Sequence, residues 1–274
     1  MPDKKDPPLA SGATADVLAW KDGQVLKLFR ERSPYHGHEL AATRAASATG
    51  LSVPAVFGGL IEVEDREGIV FERVDGPTMA RYLEDHPDSA IECARQMADL
   101  HVEIHQREVS DILELGEVLA WAIDQAIGLT PGNRKAVLGI LDRLPGGTAL
   151  CHGDFHPHNI IMAAHGPVAI DWAVGAGGNP LADFARTWLL SRLWLSNLGS
   201  GKPKQYWNTF WQTYLSRYRE LRSCPEAELV NWQIVATAAS LCLDQSMNSI
   251  PAATELRLDF IHATLKGETH CWKT

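Results

Sequence analysis

Over the first quarter of the chain, apolar and polar positions alternate in short runs. After it, apolar positions recur every three to four residues. The first pattern predicts strands and the second predicts helices. Runs over 16–20 and 24–29 flank Lys21-Asp22-Gly23, and Asp-Gly between two apolar runs is a hairpin signal. Residues 35–49 are alanine-rich and free of proline, and Gly50 follows, which predicts a helix with glycine just past its end. Two more strands are expected over 56–63 and 68–74, around the charged turn 64–67. Asp75-Gly76-Pro77 then breaks the pattern. Beyond it, residues 89–105 place Cys93, Met97, Leu100 and Ile104 at helical spacing. Further helices are expected over 112–127, 133–144, 181–197, 204–221, 226–246 and 252–266. Short β-like pieces at 149–151, 160–162 and 168–170 interrupt them. No internal repeat occurs. The expected class is α+β: a small antiparallel-sheet lobe with one helix, residues 1–76, joined to a large mainly helical lobe, residues 77–274.

Composition narrows the class without naming a chemistry. A chain of 274 residues suffices for one large domain or two coupled lobes. Its 45% hydrophobic and 22% charged residues are those of a globular chain, not a disordered one. The net charge is −9, and residues 1–76 hold 9 of the 25 Lys/Arg and 12 of the 34 Asp/Glu. Both parts are therefore acidic, and neither carries the basic footprint of a nucleic-acid binder. The five cysteines are widely spaced with no CxxC pair, which argues against a disulfide framework or a zinc knuckle. No basic-then-apolar start suggests a signal peptide, and the most apolar late stretch, 234–243, is too short to cross a bilayer. The cytoplasm is the expected compartment and no membrane partner is expected. The polar, proline-rich residues 1–8 are expected to form a mobile tail. Trp188, Trp194, Trp207, Trp211 and Trp232 are expected to pack within the helical lobe.

The chemistry concentrates in Cys151-His-Gly-Asp-Phe-His-Pro-His-Asn-Ile-Ile161, followed by Val168-Ala-Ile-Asp-Trp172. Asp154 and Asn159 lie between two β-like pieces, and Asp171 ends the next apolar run. Phosphoryl transfer needs such a set. One carboxylate must orient the acceptor hydroxyl and take its proton, while an amide oxygen and a second carboxylate hold Mg²⁺ against the phosphates. At the other end, Lys27 shares a strand face with Val25 and Phe29, and a lysine on an apolar face needs a partner or an escape to solvent. Ser11-Gly12-Ala-Thr-Ala-Asp16 is a small-residue turn whose backbone N–H groups could approach a phosphate.

The Asp-x-x-x-x-Asn spacing resembles the kinase catalytic loop, and Ile-Asp-Trp stands in the place of the kinase Asp-Phe-Gly. His152-Gly-Asp-Phe-His-Pro-His-Asn159 resembles the aminoglycoside phosphotransferase family and its choline, homoserine and macrolide kinase relatives. The resemblance runs over about residues 9–190. It implies a protein-kinase-like fold and transfer of the γ-phosphoryl of ATP or GTP to a small hydroxylated molecule. An aminoglycoside-like antibiotic and a choline- or homoserine-like metabolite are both open as acceptors. The family's catalytic aspartate maps to Asp154 and its two metal ligands to Asn159 and Asp171. Lys27 maps to the lysine on the α- and β-phosphates, and Glu39 to its helix partner. The backbone at Glu72 and Val74 maps to the adenine-binding hinge, and Asp183 to the buried aspartate that braces the catalytic loop. His158 stands where many relatives carry glycine, so that position is expected to be extended or helical.

Two other classes compete for the same residues. His152, Asp154, His156 and His158 are dense in transition-metal ligands, as in a metallohydrolase, although Pro157 interrupts a regular strand there. A nucleotide-binding pseudokinase scaffold is the other. The long activation segment of a protein kinase has little room between Asp171 and Leu181.

Overall fold

The computed structural model describes residues 7–245 and 251–268. Most of the expected tail (1–6), Ser246 at the end of the expected 226–246 helix, and Cys271 lie outside the described residues.

Five antiparallel strands form the sheet: β1 (Ala10–Ser11), β2 (Ala15–Ala19), β3 (Gln24–Phe29), β4 (Val56–Val63) and β5 (Arg66–Glu72), in the order β1-β2-β3-β5-β4. The β2–β3 hairpin turns at Lys21–Gly23 as the Asp-Gly signal predicts. The β4–β5 hairpin turns on Glu64 and Asp65, both at positive φ, which matches the right-handed twist of the paired strands. Period-two alternation then sorts the side chains. Leu26, Leu28 and Val70 make one small core on one face of the sheet. Phe29 and Ile69 make another with Ala15. On this second face, helix α1 (His36–Ala48) contributes Leu40.

The chain crosses once to the helical lobe. Gly76, at φ +147°, is pressed so closely on β7 (Ile160–Ala163) that a Cβ would meet the Met162 carbonyl oxygen at 2.3 Å. Met162 N–H donates to the Pro77 carbonyl at 2.9 Å. Helix α2 (Met79–Asp85) follows, capped by the Thr78 hydroxyl, which accepts from Arg81 N–H. The sequence did not predict it, because seven residues show barely two turns of period.

Helix α3 (Ala90–His105), α4 (Leu115–Gln125) and α5 (Pro131–Leu141) fall where helical spacing placed them. Next come β6 (Ala149–Cys151), β7, β8 (Gly166–Ala169) and β9 (Ala176–Gly178), paired as β6–β9 and β7–β8. The chain then continues as α6 (Pro180–Asn197), α7 (Lys202–Leu221), α8 (Glu226–Ser240) and α9 (Pro251–Leu265). Asn179 caps α6 by accepting from Leu181 N–H, with Pro180 in the first turn. The expected 226–246 helix ends at Ser240 and tightens into a 3₁₀ turn over Leu241–Gln245.

The main core lies among these helices. α7 buries Trp207, Phe210, Trp211, Tyr214 and Tyr218, one stripe at helical spacing. Trp188 and Trp232 are buried as well, whereas Trp194 is half-buried. Full burial of one such aromatic contributes roughly 1.5–3 kcal/mol. Among the described residues no helix is long and apolar enough to cross a membrane.

Candidate active site

The loop between β6 and β7 is held from behind by one carboxylate. Asp183, in the first turn of α6, accepts His152 N–H at 2.6 Å and Gly153 N–H at 2.9 Å. Gly153 sits at φ +78°, and a Cβ there would meet the Val174 carbonyl oxygen at 2.5 Å, so the turn requires glycine.

Two histidines complete the set. His101 and His105, one turn apart on α3, each place Nε2 3.2 Å from Asp183 Oδ2. Their Nδ1 atoms lie 2.7 Å from the Tyr214 and Tyr218 hydroxyls on α7. All are buried. Burial, helped by His105, lowers His101 to a pKa of about 3, and burial lowers His105 too. Both rings are therefore neutral near pH 7, donating from Nε2 and accepting tyrosine O–H at Nδ1. Burial works to raise Asp183, but the hydrogen bonds from the two histidines outweigh it and hold the carboxyl well below its usual range. The fold brings His101 and His105 onto one oxygen.

His152 points inward and donates from Nε2 to the Ile170 carbonyl at 2.9 Å. Ile170 N–H in turn donates to the Asn159 carbonyl at 2.9 Å. The β7–β8 hairpin thus sets Asn159 directly across from the residue before Asp171. Asp171 itself sits at φ +63°, a left-handed position unusual outside glycine.

Asn159 closes the loop on Asp154. Its Nδ2 donates to the Asp154 carbonyl at 3.0 Å, which leaves Oδ1 without a protein partner among the described residues. Pro157–Asn159 is a 3₁₀ turn, and His158 is not at positive φ, so histidine replaces glycine there without strain. The Asp154 carboxylate is 35% exposed, with His156 Nε2 3.2 Å from Oδ2 and Arg186 Nη2 3.4 Å from Oδ1. Burial opposes its charge, but the His156 hydrogen bond and the Arg186 charge prevail and hold it well below the usual carboxylate range.

Lys27 reaches this group from the sheet. Its Nζ lies 2.8 Å from Glu39 Oε1 and 2.9 Å from Asp171 Oδ1. Burial disfavours the ammonium, yet Asp171 and Glu39 outweigh burial and raise its pKa, so it stays charged. Beside it opens a cleft of about 500 Å³, lined by the apolar side chains of Val17, Val25, Phe71, Val74 and Ile161 and by the charged Lys27 and Asp171. Glu72 lines the cleft too; its N–H is given to the Ala55 carbonyl, so its backbone has only the carbonyl to offer a ligand.

The other expected residues part company. Leu9 and Ala10 line the cleft, but Ser11 and Gly12 do not. Ser11 Oγ donates to Asp16, and Arg30 Nη1 holds the carbonyls of Gly12 and Ala13, which binds this turn onto its own arginine. The four residues of the metallohydrolase reading also diverge. His152 is taken by Ile170, His156 by Asp154, and His158 stacks on Trp194 with ring centres 5.0 Å apart.

The fold has solved counterparts. A thermostable mutant of aminoglycoside phosphotransferase APH(4)-Ia superposes with a TM-score of 0.65 at 14% identity, covering 94% of each chain. A choline/ethanolamine kinase family protein from Mesorhizobium loti gives 0.61 at 18% identity, over 96% of this chain and 89% of that one. The amicoumacin kinase hAmiN, solved with AMP-PNP, Ca²⁺ and amicoumacin, gives 0.62 at 16% identity, over 97% and 90%. At these identities the likeness shows the two-lobed, protein-kinase-like fold. No curated protein sequence matches the chain. The sequence model of the phosphotransferase enzyme family, APH, matches residues 7–224, and with four fifths of its length inside that match the chain belongs to this family.

Proposed function

We propose that this phosphotransferase moves the γ-phosphoryl of ATP or GTP onto a hydroxyl of a small molecule, with the nucleotide in the cleft beside Lys27. The observation that carries the reading is the contact of Lys27 from the sheet with Asp171 from the helical lobe, 2.9 Å apart, next to the Asp154–Asn159 loop. The division of labour follows from the donors. Lys27, kept charged by Asp171 and Glu39, neutralises nucleotide phosphates. The apolar end at Val17, Val25 and Phe71 receives the flat base, with the Glu72 carbonyl and the Val74 backbone at its edge. Asn159 Oδ1 and the Asp171 carboxylate are hard oxygen donors suited to Mg²⁺, which when bound would neutralise charge between the phosphates. Asp154, ionised and half-exposed, accepts the proton of the attacking hydroxyl. The boundary near residue 76, where the chain crosses between lobes, and a place in the cytoplasm, where nucleotide is plentiful, belong to the same reading.

The acceptor is a small alcohol. An aminoglycoside-like antibiotic heads the candidates, and choline- or homoserine-like alcohols follow. APH(4)-Ia has been solved with AMP-PNP and hygromycin B, and hAmiN with amicoumacin. The test is a nucleotide-consumption screen over aminoglycosides, amicoumacin, macrolides and small metabolic alcohols, run with wild type and Asp154→Asn. Asp154→Asn should lose about 10²–10⁴-fold in turnover while still binding nucleotide. Equal turnover by the two proteins would sink the assignment.

A further inference from the structure

We propose that Arg186 is a positioning residue for phosphoryl transfer, holding the Asp154 carboxylate fixed in direction; this rests on the phosphotransfer reading above. Helix α6 lays three side chains of one face, at i, i+3 and i+4, along the loop 152–155. Asp183 takes the His152 and Gly153 N–H groups, and Thr187 Oγ1 donates to the Phe155 carbonyl at 3.1 Å. Those two residues hold the loop backbone, and both are buried. Arg186 alone of the three touches a reacting side chain, with Nη2 3.4 Å from Asp154 Oδ1.

The two oxygens of Asp154 are thereby made unequal. Oδ1 faces a permanent cation, and Oδ2 faces His156 and, more distantly, Asn159 Nδ2 at 3.4 Å. A guanidinium does not accept the proton that Asp154 takes up, so it orients the carboxylate without competing for it. Asp154 is its sole polar partner among the described residues, and it lies partly exposed. An arginine placed for folding would spend more of its five donors on backbone carbonyls, as Arg134 does with the carbonyls of Ile123, Asp124 and Ala126.

The experiment compares wild type, Arg186→Ala and Arg186→Lys in the full chain. It reads MgATP turnover with water as acceptor and with the acceptor that the screen returns, together with nucleotide Kd and the thermal midpoint. Arg186→Ala should lose about 10–100-fold in kcat, as expected when a reacting group drifts from its productive geometry, with Kd and midpoint near wild type. Arg186→Lys should fall between the two, and millimolar methylguanidinium should restore part of the kcat of Arg186→Ala while leaving wild type unchanged. A kcat within about twofold of wild type overturns the proposal. So does a loss that comes with weaker nucleotide binding and no methylguanidinium rescue, which would make Arg186 a folding residue. A raised acceptor KM at unchanged kcat would place it in acceptor binding instead. A wild type that turns over with no acceptor, water included, overturns the phosphotransfer reading itself, and the proposal falls with it.

Discussion

Two carboxylates lie on either side of the same loop and are treated in opposite ways. Asp183, behind it, is fully buried and receives four N–H donors, from His101, His105, His152 and Gly153. Asp171, in front, is 41% exposed, sits in a left-handed conformation and shares one lysine with Glu39. The first is satisfied by neutral donors that do not change over a catalytic cycle. The second is left with an open oxygen and a partner it can release. A carboxylate that serves as scaffold is saturated with hydrogen bonds; one that serves chemistry is left short of them.

Three measurements would break or sharpen that contrast. The largest effect belongs to Asp183→Ala, which orphans two loop N–H groups and two histidine donors inside the core. We expect a loss of about 3–5 kcal/mol in denaturant unfolding, together with turnover. A stability near wild type would mean that the loop is held by something other than this carboxylate. Next, Lys27→Met should cost about 10²-fold in kcat/KM for nucleotide but much less stability than Asp183→Ala, because burial already favours the protonated form of Glu39 and the part-exposed Asp171 can meet water. A stability loss as large as that of Asp183→Ala would erase the distinction between scaffold and chemistry.

The most gradual effect is on pH. His101 is buried neutral, with its pKa lowered from 6.5 to about 3. Between those values the unfolded chain binds a proton that the folded chain does not, so stability falls as pH drops from about 6.5 toward 3. The slope is about 1.4 kcal/mol per pH unit for this one group, and His105, lowered in the same direction, adds to it. Above pH 7 these histidines contribute no slope. Thermal midpoints taken from pH 8 to pH 4.5 should therefore be flat and then decline. A flat profile throughout would show the histidines to be protonated in the folded state.

Much of the chemistry was legible along the chain because it is local. Asp154, Asn159 and Asp171 sit within eighteen residues, and the hairpin between them is short. Strand alternation turned Lys27 onto an apolar face and so marked it out, and Glu39 was reached only through the family resemblance. The scaffold was less legible. His101/His105 and Tyr214/Tyr218 are i, i+4 pairs, and that spacing says that two residues share a helix face but not what the face meets. Arg186 and Thr187 had the same signal and the same silence, whereas Asp183 was reached through the family resemblance. The Ser11–Gly12 turn has the small residues of a phosphate cradle, but nothing in its composition announces that Ser11 Oγ donates to Asp16 or that Arg30 takes the carbonyls of Gly12 and Ala13. β9 is Ala-Gly-Gly, with no strand propensity, and exists because β6 supplies a partner.

The crossing between lobes has a mechanical consequence. Gly76 is wedged against the Met162 carbonyl, Pro77 accepts the Met162 N–H, and Thr78 bridges to Ile161. From residue 76 onward the chain is stitched to β7 and moves with it, while Glu72 is still a rung of the sheet. Arg73 N–H still bonds the Gly23 carbonyl at 2.9 Å, so rocking of the sheet over the helices must be absorbed beyond that bond, in the ψ of Arg73 and in Val74 and Asp75. These three residues line the cleft, so the pivot of any such motion lies against the ligand, and whatever fills the cleft also stiffens the joint.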